Sequence, residues 1–153
     1  MKPFILLRIA SVLTLIHAAL HTVGGVFGAP PTAAAQVVQA MKTVFFPAMG
    51  VTRNYWQFHM GLGLAVTIFL TIEGIIFWQL GTLAKTNAKQ LRPILATFLV
   101  GYFTLAVNSW EFFFSGPVIT EILIALCLAL AIWKAPTTSR LAATQGIRDR
   151  VAS

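Results

Sequence analysis

One cysteine and four acidic residues in 153 positions close off several kinds of chemistry at once. Cys127 alone cannot form an intramolecular disulfide, and a cysteine metal knuckle needs more than one thiolate. Against Glu73, Glu111, Glu121 and Asp149 stand eleven Lys and Arg, a formal net charge of +7. The basic residues form no stripe with interleaved aromatics, so nucleic acid is not an expected partner. Internal repeats and low-complexity tracts are missing too, and the length suits one domain over residues 1–153. What is abundant is apolar surface. Hydrophobic residues make up 58% of the chain and charged ones 10%, with a mean hydropathy of +0.82, a composition expected of a membrane protein.

A helix crossing the hydrocarbon core needs about 20 mostly apolar residues. Four runs satisfy this, at about 4–27, 55–80, 93–114 and 117–133, predicting an all-α, four-helix transmembrane bundle. Lys2, Arg8, Lys85, Lys89, Arg92, Lys134, Arg140, Arg148 and Arg150 then fall on one side, and only Lys42 and Arg53 on the other. The positive-inside rule puts both termini in the cytoplasm. Trp56 and Trp110 come near the outer interface and Trp78 and Trp133 near the inner one, where indole is favoured. The first run also has the form of a secretory leader, with Lys2 and Arg8 before it and Ala33 and Ala35 as small cleavage positions. A removed leader has no need of the helical polar pattern in residues 17–28, so the span is read as retained.

Between the first two spans lies the longest loop, TAAAQVVQAMKTVFF after Pro30 and Pro31, with Val37, Val38, Met41, Val44 and Phe45 at helical spacing. This predicts a short amphipathic helix in the first outer loop, ended by Pro47 and Gly50. The inner loop GTLAKTNAKQLR is read as a cytoplasmic turn, Ser115 as a helix cap, and residues from about 135 to 153 as a flexible cytoplasmic tail.

The ionisable residues are unevenly placed. All three histidines and three of the four acids fall within the spans or at their ends, where such groups normally face a bundle interior, a cavity or one another. Ala10, Thr14, His17, His21, Gly24 and Gly28 mark one helical face; Tyr55, His59, Gly63, Val66, Leu70 and Glu73 mark a second; Thr97, Gly101, Thr104, Asn108 and Glu111 a third. Glu121, Ala125 and Ala129 form a weaker fourth. At about 1.5 Å per residue, His17, His21, His59, Asn108, Glu111 and Glu121 come to similar depths in the outer half, with Glu73 deeper. Gly24 and Gly28 form a GxxxG step, a candidate homo-oligomer contact.

Three functions compete for such a cluster. A polar pocket for a lipophilic small molecule would use His17, His21, Tyr55, His59, Asn108, Trp110, Glu111 and Glu121, with His59, Glu111 and Glu73 as candidate acid–base groups for isomerisation or another transformation. A haem or divalent metal would use His17 and His21, spaced i, i+4, with His59. A structural or accessory subunit would need the polar groups only to satisfy one another. Membrane lipids are partners in every case.

HTVGG (21–25), VVQAMK (37–42), RNYWQFHMGLG (53–63) and FWQLG (77–81) together resemble a family of small bacterial four-span membrane proteins of unknown function. The likeness covers roughly half the chain and implies topology without activity. A looser similarity is to DoxX-like proteins and to emopamil-binding-type proteins, whose sterol isomerases keep His, Glu, Asn and Trp around a lipophilic pocket. That similarity implies such a set from His59, Glu73, Asn108, Trp110 and Glu111.

Overall fold

The computed structural model describes residues 1–135; the expected tail lies almost wholly outside them. Four helices are long and apolar enough to cross a membrane, as expected: Pro3–Val26, Tyr55–Asn87, Arg92–Phe112 and Ser115–Lys134. The first is α-helical over Pro3–Leu20 (α1) and passes into a π-helical turn, His21–Val26. A 3₁₀ turn, Thr32–Ala34, leads into α2, Ala35–Thr43. Two strands follow, β1 (Phe45–Ala48) and β2 (Val51–Asn54), then α3 (Tyr55–Asn87), α4 (Arg92–Phe112) and α5 (Ser115–Lys134).

Several boundaries differ from the expected ones. The loop helix stops at Thr43, because Val44 turns extended and Phe45 opens a hairpin. Pro47 pairs with Thr52 within that hairpin, and Met49 and Gly50 make the turn with φ of 48° and 88°. Positive φ at both central positions suits a tight hairpin turn, since it matches the twist of the strands. The loop expected over residues 81–92 is mostly helix, because α3 runs on to Asn87. At 33 residues α3 is about 50 Å long, well beyond a hydrocarbon core of about 30 Å, so the helix continues past its apolar stretch. Ser115 is the first residue of α5 and makes no side-chain cap.

The chain divides into two compact units. One comprises Met1–Thr14 and the chain from Gly74 onward, so it draws on α1, α3, α4 and α5. Its core includes Leu7, Phe77, Leu95, Tyr102, Ile124 and Leu128, none more than 1% exposed. Phe98 meets Phe77 edge-on at 4.9 Å between ring centroids. Small hydroxyls sit at the helix contacts: Ser11 donates to the Gly74 carbonyl at 2.6 Å, and Thr14 donates back to Ala10 and lies 3.3 Å from Tyr102 Oη. Ser11 and Thr14 thus each have a backbone acceptor, without which burying a hydroxyl is costly.

The other unit is Leu15–Glu73, with the end of α1, the π turn, α2, the hairpin and the start of α3. It buries few side chains, chiefly Ala18, Val26, Asn54 and Leu70. Polar bonds and close backbone approach hold much of it together.

Candidate functional site

The hairpin reaches α3 through Asn54, which is buried. Its Oδ1 accepts from the Gln57 N–H at 2.9 Å, while Gln57 Oε1 accepts from the Asn54 N–H at 3.1 Å. This reciprocal pair is a capping box, satisfying helix-start donors that would otherwise have no partner. Asn54 Nδ2 also donates to the Lys42 carbonyl at 2.8 Å, tying the end of α2 to the start of α3. Phe46 of β1 packs on Tyr55 at 4.8 Å and stacks on Phe58 at 6.0 Å. Trp56 has the Lys42 ammonium 4.4 Å from its ring centroid and the His59 ring at 5.2 Å.

Between the hairpin and the first turns of α3 the surface opens into an apolar groove of about 400 Å³. Ala48, Met49, Val51, Phe58, Gly61 and Leu62 form most of it, and Arg53 and Gln57 are its polar members. The floor is open at Gly61, where an added Cβ meets no atom within 4 Å.

Deeper along α3, His21 in the π turn is held by a hydrogen bond. Its Nε2 lies 3.1 Å from the Gly63 carbonyl, and since a carbonyl only accepts, Nε2 carries the proton. Thr67 donates to the same carbonyl at 3.2 Å, and its hydroxyl lies 3.0 Å from that of Thr22. Thr22 in turn donates to the Ala18 carbonyl at 2.7 Å. Gly63 permits this contact: a Cβ there would come within 2.9 Å of Val26 Cγ2. The π turn itself, in which the Phe27 N–H donates to the Thr22 carbonyl at 3.0 Å, is the local widening often found at functional positions.

The residues expected to share one site are distributed as follows. His17, His21, Tyr55, His59 and Glu73 belong to the Leu15–Glu73 unit, and Asn108, Trp110, Glu111 and Glu121 to the other. His17 is half-buried with its Nδ1 unpartnered, His21 is committed to Gly63, and His59 and Tyr55 are exposed. Glu121 is buried and accepts from Ser109 at 3.0 Å, leaving Oε2 without a partner. Asn108, Trp110 and Glu111 differ from expectation. The whole stripe Thr97, Gly101, Thr104, Asn108 and Glu111 lies on the exposed side of α4, opposite the buried Leu95, Tyr102, Ala106 and Ser109. Spacing defined that face correctly but not its direction. Thr97 and Thr104 bond their own helix at Pro93 and Val100.

Among the described residues no three His, Cys, Asp or Glu side chains are grouped to hold a metal ion. In the GxxxG step, a Cβ on Gly28 would run into the Gly24 carbonyl, so the chain's own turn already requires that glycine. The hairpin groove was not anticipated. RNYWQ contained the signal, because Asn54 and Gln57 have capping-box spacing and Gly50 follows a β-prone VFFPA run.

No family profile, curated protein or solved structure matches this chain.

Proposed function

We propose that this is an integral membrane protein that binds a lipophilic small molecule with a polar or anionic head, in the groove between the β1–β2 hairpin and α3. The observation that carries the reading is the lining: an apolar trough of about 400 Å³ with one cation, Arg53, and one amide, Gln57. Ligand sites for such molecules are largely apolar, with a few polar groups that fix orientation. A guanidinium is suited to a carboxylate or phosphate because its donors form a planar fork. No histidine or acid lines the groove, so proton transfer has no resident group there and binding is favoured over isomerisation. Of the two cations set apart from the rest, Arg53 lines the groove, and Lys42 belongs to the same Leu15–Glu73 unit. On this reading both termini are cytoplasmic, the groove faces the other side of a bacterial inner membrane, and the chain is one of the small four-span proteins that its HTVGG and RNYWQFHMGLG segments resemble.

The test uses protein purified in mild detergent, extracted into organic solvent and analysed by mass spectrometry. Wild type should carry an anionic lipophile at several times the level found in Gly61→Phe, which adds a ring where a Cβ meets no atom within 4 Å. Arg53→Gln should lose the same species. If wild type and Gly61→Phe yield identical extracts, the groove is not a binding site.

A further inference from the structure

A second cation in an apolar setting lies in the unit formed by Met1–Thr14 and the chain from Gly74. The Arg8 guanidinium stacks on Trp78, 3.5 Å from the ring centroid, and Nη2 donates to Thr82 Oγ1 at 2.8 Å. Its other terminal nitrogen, Nη1, is buried and has no acceptor. The acids of this unit among the described residues are Glu111, exposed near the end of α4, and Glu121, which accepts from Ser109. One turn closer to the start of α1, the Lys85 ammonium lies 5.8 Å from the centroid of the Phe4 ring, so a second cation occupies the same α1–α3 seam.

Beside the seam, Ile5, the Arg8 stem, Ile9, Val12 and Leu13 form a shallow apolar groove of about 280 Å³. From Ile5 to Val12 it follows α1 for roughly 10 Å away from the chain start. Cations at one end of an apolar groove complement an anionic amphiphile, and basic clusters at helix ends attract anionic lipids.

We propose that this seam binds an anionic diacyl phospholipid, with the phosphate on Arg8 and Lys85 and one acyl chain over Ile5, Ile9 and Val12. The headgroup oxygens offer the Arg8 guanidinium charge-assisted hydrogen bonds beyond the one it makes to Thr82. The site is separate from the hairpin groove and does not depend on it.

Native mass spectrometry of the intact protein, in wild type and in a Gly61→Phe background, tests this by titration with phosphatidylglycerol, phosphatidylcholine and inorganic phosphate. Phosphatidylglycerol should bind at least about fivefold more tightly than phosphatidylcholine, and free phosphate should not displace it. Arg8→Gln should remove the preference. Should Arg8→Gln not fold, Lys85→Gln and Ile9→Trp decide the matter. Both change exposed residues; the first removes one charge, the second fills the groove and keeps every charge, and each should weaken binding severalfold. Equal affinity for the two lipids, displacement by free phosphate, or unaltered binding in Ile9→Trp would overturn the proposal.

Discussion

The two units of this chain are stabilised in different ways. In the unit of Met1–Thr14 and the chain from Gly74, large apolar side chains such as Leu7, Phe77, Leu95 and Tyr102 interlock and are almost wholly buried. In Leu15–Glu73 few side chains are buried, and much of the specific contact is polar or backbone-close: the Asn54–Gln57 box, the His21–Gly63 bond, the Thr22–Thr67 pair and Val26 against Gly63. The open groove at the hairpin belongs to this second unit. Dense packing leaves no room for a ligand, whereas segments with few buried contacts are where binding surfaces and local opening are commonly found.

Truncation should separate the two most sharply. Phe77→Ala removes a fully buried ring in contact with Phe98 and Tyr102 and should cost about 3 kcal/mol or more, read as a lower midpoint of unfolding in mixed micelles. A cost under about 1 kcal/mol would mean that this core is not packed as described.

Gly63→Ala sharpens the comparison from the other side. The added methyl meets Val26 Cγ2 at 2.9 Å and should destabilise by about 1 to 2 kcal/mol, recovered in part by Val26→Ala. Absence of any recovery in the double variant would show that the contact is not the cause.

The smallest effects concern the histidines. His21→Ala loses the bond to the Gly63 carbonyl and should cost about 1 kcal/mol, whereas His59→Ala, on an exposed side chain, should cost under about 0.5. Equal effects at the two positions would erase the distinction between a histidine that holds helices together and one that does not.

Sequence reading located the spans because crossing a lipid core demands long apolar runs whatever their neighbours are. It was less informative where the same residues permit more than one arrangement. Residues 81–87 are less apolar than the run before them, which reads as a loop, yet nothing in KTN breaks a helix and α3 continues. Val44 and Phe45 fit a helical spacing as well as a strand, and the hairpin that claims Phe45 depends on Met49 accepting a positive φ. On α4 the interval of three and four residues grouped Thr97, Gly101, Thr104, Asn108 and Glu111 correctly, but any helix has two sides, and Leu95 and Tyr102 took the inner one.

The sequence by itself therefore determined the class, the number of spans and the helical faces, since these follow from hydropathy and from the 3.6-residue period alone. Tertiary structure decided which face of α4 packs inward, where each helix ends, and that Arg53 and Gln57 line the hairpin groove. Those outcomes depend on competition among faces for a limited interior, and that competition is settled only when the helices meet.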